Sequence, residues 1–227
     1  MQKILVIAAH PDDELLGCGG TIIEHLKKKD KVGIIIASEG ITSRGGSKKN
    51  NDKKIKKLHS ISKKISSKLK LNFIKFFNFP DNKLDDVNQL SIVKKIEEVI
   101  KKFKPGTVYT HHHSDLNIDH KIVNNAVIVA CRPYTGQSVK RILTFEIPSS
   151  SNWVDNSNKA FSPNYYVEIT NSLKKKLNLL KMYKDELRPW PHARSIKAIE
   201  SLSLYRGSSI GIKAAEAFHL VRFIKKF

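Results

Sequence analysis

The chain has 227 residues, with 41 Lys and Arg against 21 Asp and Glu and a formal charge of +20. With 40% hydrophobic and 27% charged residues it can bury a sizeable core, which excludes an intrinsically disordered chain and a small disulfide-stapled scaffold. Its two cysteines, Cys18 and Cys131, have no CxxC spacing and read as small buried hydrophobes, not as a disulfide framework or a thiolate zinc site.

No stretch approaches the ~20 apolar residues of a membrane helix, and the longest early apolar run, Ile4 to Ala9, is shorter than the ~7 to 15 residues of a signal-peptide core. A cytoplasmic protein with no transmembrane segment is expected. Of the 41 basic residues 34 are Lys, and 21 of these fall between Lys27 and Lys104. A nucleic-acid reader leans on Arg forks and interleaved aromatics, and residues 48–70 have neither, so no specific nucleic-acid binding is expected. The reading is a solvated Lys-rich face whose field draws in anionic groups, such as phosphate on a sugar or lipid.

In chain order, Lys3 to Ala9 is a continuous apolar run, as expected of a strand covered on both faces. Leu15, Leu16, Ile22, Ile23 and Leu26 then follow a helical period over residues 13–29, and Val32 to Ala37 is a second buried strand, which completes a βαβ unit. A polar loop over 38–51, a Lys-rich helix over about 52–68 and a strand over about 73–77 follow. Next come a helix over about 88–103 stopped by Pro105-Gly106, a short strand at 107–110, a loop from His111 to Asn117, and a helix over about 118–130. This alternation predicts an α/β fold, a Rossmann-like open sheet that is mostly parallel. Beyond Pro133, strands are expected at 141–147 and 165–169, helices at 172–184 and about 195–205, and a closing segment at 214–227 that returns to the sheet. Residues 1–132 thus read as an α/β core and 133–227 as an elaboration of the same domain. The polar stretch from Pro148 to Pro163 reads as a flap.

Ligands of open α/β sheets bind at the carboxyl ends of the strands, and acidic and histidine residues cluster there. His10-Pro-Asp-Asp-Glu14 follows the first strand, and His111-His-His-Ser-Asp-Leu-Asn-Ile-Asp-His120 follows the fourth. Two His and a carboxylate form a three-ligand site with a position open to water, as in catalytic zinc centres; His10, Asp13 and His120 fit it best. Read singly, a strand-end His is a hydrogen-bonded structural residue, and Asp12 or Asp13 a helix cap.

Ala9-His-Pro-Asp-Asp-Glu14 followed by Asp115-Leu-Asn-Ile-Asp-His120 resembles the PIG-L and LmbE-like family of metal-dependent N-acetylglucosaminyl de-N-acetylases. Gly40-Ile-Thr-Ser-Arg-Gly45, Phe79-Pro-Asp81, Arg206-Gly-x-x-x-Gly211 and Ala215-Glu-Ala-Phe218 also look familial. The resemblance implies that His10, Asp13 and His120 hold Zn²⁺, or Fe²⁺ or another divalent ion, and that Asp12 is the general base toward water. The implied reaction is acetyl removal from an N-acetylated amino sugar or glycoconjugate. Many relatives carry a His three residues before the last ligand, where this chain has Asn117; either the Asn117 amide or His112 or His113 then polarises the carbonyl. Arg44 and Asp81 are expected to contact the substrate, and Asp119 to orient a neighbouring His or cap the helix. Arg188-Pro-Trp-Pro-His-Ala-Arg194 reads as a sugar platform or as core packing, and Trp153 as lid or core. Rival readings are an amidase or deaminase of the same fold, and a basic non-catalytic protein binding nucleic acid or anionic lipid.

Overall fold

The computed structural model describes residues 1–41, 45, 47–154 and 160–225. Strands β1 (Lys3–Ala8), β2 (Lys31–Ser38), β3 (Phe73–Phe79), β4 (Thr107–His111), β5 (Arg141–Phe145), β6 (Tyr165–Glu168) and β7 (Ala215–Phe223) form one seven-stranded sheet in the order β3-β2-β1-β4-β5-β7-β6. The first five of that order are parallel, while β7 runs antiparallel between β5 and β6. The α/β, mostly parallel sheet expected from the alternation is therefore present, and the closing segment does return to it.

β1 lies at the centre because it is apolar on both faces. Ile4, Val6 and Ala8 join the cluster beneath α1 (Asp13–Lys27), α2 (Lys48–Leu69) and α5 (Leu173–Leu180), while Leu5, Ile7 and Ala9 join the cluster beneath α3 (Gln89–Phe103) and α4 (Ile118–Ala130). The sixth helix, α6 (Ile196–Ser208), packs against β7. Cys18 and Cys131 are both buried, one in each cluster. Among the described residues no helix is long and apolar enough to cross a membrane.

Several boundaries differ from the sequence expectation. α2 starts at Lys48, because the Ser47 hydroxyl accepts the Asn50 N–H and caps the helix ahead of the first apolar residue. β3 runs on to Phe79 at the sheet edge, and the helix expected over 172–184 ends at Leu180 and tightens into a 3₁₀ turn over Lys181–Tyr183.

α1 is broken in its middle. Cys18 has φ −148°, and the Gly-Cys-Gly-Gly run lets the helix press on the sheet: a Cβ on Gly17 would stand 2.3 Å from Phe145, and one on Gly20 2.6 Å from Ile169. The groups released by the kink find partners from far away in sequence. Gly20 and Thr21 N–H donate to Glu216 on β7 at 2.8 and 2.7 Å, and Lys176 Nζ donates to the Leu16 carbonyl at 3.0 Å and to Glu216 at 2.6 Å. The Glu of Ala215-Glu-Ala-Phe218 thus stitches α1 to the far side of the sheet.

Candidate active site

The strand order changes direction beside β1, so the ends of β1 and β4 open a crevice between them. The chain leaving β1 turns through His10-Pro-Asp12 into α1, and the chain leaving β4 runs through residues 112–117 into α4. The turn is strained: Asp12 sits in the left-handed region at φ 105°, which costs a non-glycine residue about 1–3 kcal/mol. It is held by the Asp12 N–H on Glu14 Oε2 (2.9 Å), with Tyr183 donating its hydroxyl to Glu14 Oε1 (2.9 Å).

Three donor atoms converge. His10 Nδ1, Asp13 Oδ2 and His120 Nε2 form a triangle with all three sides 3.2 Å. A tetrahedral ion with ligand bonds of about 2.0 Å needs donor separations near ~3.3 Å, so the triangle fits such an ion. Asp13 Oδ1, on the same carboxylate, is buried without a hydrogen-bond partner. Burial alone would push Asp13 up, but His120 and His10 hold its carboxyl well below the ordinary range.

Each histidine is gripped from behind by carboxylates. His10 Nε2 is 3.1 Å from Asp119 and 3.2 Å from Asp81, and His120 Nδ1 is 3.1 Å from Asp115. Asp119 accepts the N–H of Asn82 and Leu84, and Asp115 accepts the Asn117 N–H and the Ser151 hydroxyl. Such carboxylate–histidine pairs fix ring orientation and tautomer at metal sites. His111 stacks on His120 at 3.8 Å and accepts the Ala9 N–H on Nε2, so it stands as a neutral imidazole behind His120.

Asp12 does not cap α1; its side chain makes no capping bond. It faces Arg194 instead, with Arg194 Nη1 3.1 Å from its Oδ2. Burial pushes the Asp12 carboxyl up to about 8 against the pull of that guanidinium. A cation at the adjacent triangle would favour the ionised form.

Residues 5–131 match the family model PIG-L, GlcNAc-PI de-N-acetylase. The chain belongs to the PIG-L family. It is similar to the uncharacterized deacetylase YaiS of Escherichia coli (strain K12), at 29% identity over 154 residues, 66% of this chain and 76% of that protein. The N,N'-diacetylchitobiose deacetylase of Pyrococcus horikoshii shares its fold with a TM-score of 0.79 at 18% identity, covering 97% of this chain and 84% of that one. So does GalB, the 4-carboxy-2-hydroxymuconate hydratase of Pseudomonas putida KT2440, with a TM-score of 0.77 at 17% identity and full coverage of both chains.

Against the sequence reading, this PIG-L chain brings His10, Asp12, Asp13, Asp81, Asp119 and His120 together. Asp81 lies buried behind His10 instead of lining an opening toward solvent, and Asp119 lies buried behind the same ring. Asn117 caps α4, its Oδ1 accepting the Asp119 N–H and its Nδ2 donating to Asn82 at 2.9 Å. His112 turns toward Phe161 and His219, with His113 exposed beside it. Arg44 lies outside the described residues, as do residues 155–159 of the expected flap. The start of that flap is anchored: Ser150 and Ser151 are buried against His120 and Asp115. Trp153 and Trp190 are largely exposed, Trp153 edge-on to His192 and Trp190 beneath Lys197.

Two residues beyond the expected set complete the site. Asp115, in the loop, stands five positions before His120 in the first turn of α4, a spacing that its motif displayed without revealing which ring it would meet. Arg194, read from sequence as part of a sugar platform, reaches Asp12 only because the C-terminal chain folds back over the crevice.

Proposed function

We propose that this chain is a metal-dependent hydrolase that removes the acetyl group from an N-acetylated amino sugar or glycoconjugate. The observation that carries this reading is the 3.2 Å triangle of His10, Asp13 and His120 beside the buried carboxylate of Asp12. Deacetylation in the family description and in the name of the E. coli relative supports it.

When bound, a divalent ion such as Zn²⁺ or Fe²⁺ supplies a Lewis acid that makes water acidic near neutral pH and polarises a carbonyl. The chain's residues do the rest. Asp119 and Asp81 on His10, and Asp115 on His120, keep the ligand nitrogens aimed at one point. Asp12 takes a proton from the attacking water and delivers it to the amine nitrogen as the C–N bond breaks, so that acetate and a free amine leave. The Lys-rich surface favours substrates bearing phosphate, and the enzyme is proposed to act in the cytoplasm on a small soluble or glycan-linked substrate.

The test is elemental analysis of the purified protein, followed by measurement of acetate release from N-acetylglucosamine conjugates. About one divalent ion per chain with metal-dependent acetate release supports the reading. A loaded protein that releases no acetate, but hydrates an unsaturated acid, would move it toward the chemistry of the hydratase sharing this fold.

A further inference from the structure

We propose that Arg194 is a further catalytic residue, whose guanidinium donates hydrogen bonds to the acetamide oxygen as that oxygen gains negative charge. This rests on the deacetylase reading above. Attack on an amide carbon moves an electron pair onto the carbonyl oxygen, and a donor fixed at that position lowers the barrier. The guanidinium gives up no proton; it supplies N–H donors and a permanent charge.

The donors read from the sequence are committed elsewhere. The Asn117 amide bridges the Asp119 backbone and Asn82, the His112 ring packs on Phe161 and His219, and His113 points to the surface. Arg194 is placed differently. Its Nη1 lies 3.1 Å from Asp12 Oδ2 and its Nη2 4.0 Å from Asp13 Oδ1, so the guanidinium borders both the base and a corner of the donor triangle. Its Nε donates to the Ser149 hydroxyl at 2.8 Å, which fixes the plane of the group.

A guanidinium has five N–H groups. With one on Ser149 and one on Asp12, three have no hydrogen-bond partner among the described residues. The side chain keeps 19% exposure, enough for an entering group to meet it. Asp13 Oδ1 is itself a buried acceptor without a hydrogen bond, and Arg194 Nη2 is 4.0 Å from it, so the guanidinium lies at the edge of the triangle. A carbonyl oxygen at the triangle therefore has a fixed, cationic donor beside it.

The test compares two ligands on Zn²⁺-loaded protein by calorimetry: glucosamine, which lacks the oxyanion, and a methylphosphonamidate of glucosamine, whose tetrahedral phosphorus carries it. Arg194→Gln is expected to keep its ion and to bind glucosamine like the wild type, while affinity for the phosphonamidate falls about 100-fold. Arg194→Lys should recover part of that loss, and guanidinium added to Arg194→Ala should restore part of the acetate release. Equal losses for both ligands, unchanged phosphonamidate affinity, or loss of the ion from both the Gln and the Lys variants would overturn the role. A loaded wild type that does not prefer the phosphonamidate to glucosamine would instead bring down the deacetylase reading, and this proposal with it.

Discussion

Helix α2 and the rim between β1 and β4 are both crowded with charge, and they handle it in opposite ways. α2 carries nine Lys and one Asp, all exposed, with Lys57 paired to the exposed Asp185. The rim buries Asp12, Asp13, Asp81, Asp115 and Asp119, and sets each against a named partner: a guanidinium, a histidine ring or a backbone N–H. The net charge of +20 therefore comes largely from a surface that water already solvates, while the chemistry lies among carboxylates withdrawn from bulk solvent. Buried charge that the fold has taken trouble to pair is the better guide to function.

Substitutions should reproduce that contrast. The largest effect is expected from His120→Ala, which removes one corner of the triangle and should take the ion content from about one per chain to none, with acetate release lost; elemental analysis decides it. Asp12→Asn should hold its ion yet lower kcat by about 10²–10⁴, because the amide cannot accept the proton; retention of near-normal turnover would remove Asp12 from its role. Glu216→Gln leaves the Lys176 charge buried without its counter-ion and should cost about 3–5 kcal/mol, read by urea unfolding. Asp115→Asn weakens the grip on His120 and should loosen metal binding about 10- to 100-fold, read by competition with a chromophoric chelator. Lys53→Gln and Lys56→Gln on α2 should leave both Tm and metal affinity unmoved; a substantial change from either would mean that the two regions are not as separate as their burial implies.

The parallel core and the convergence of His10, Asp13 and His120 were legible because both rest on local patterns. Continuous apolar runs mark strands covered on two faces, and a His-Pro-Asp-Asp turn after one strand with an Asp-His pair after another marks a rim. The proposed role of Asp12 as base came from the family resemblance of that turn, while its strained backbone and the tie of the turn to Glu14 and Tyr183 are tertiary facts. What stayed hidden was set by contacts across large separations in sequence. Nothing near Arg194 announces that it will reach Asp12 at the other end of the chain, and Asp81 looked like a substrate contact because Phe-Pro-Asp-Asn also makes a good turn. The place of Asn117 has a local reason: a residue that opens a helix tends to cap it, and its amide is held by the Asp119 N–H and Asn82.

The kink in α1 has a bearing on how such chains can be recombined. The helix that begins with Asp13 completes its hydrogen bonding only through Glu216 and Lys176, residues contributed by the last quarter of the chain. A chimaera that grafts the C-terminal segment of a relative onto residues 1–132 must therefore transplant this lysine–glutamate couple in register. A library that varies substrate-facing loops while keeping Lys176 and Glu216 fixed would explore new specificities without unseating the turn that carries Asp12 and Asp13.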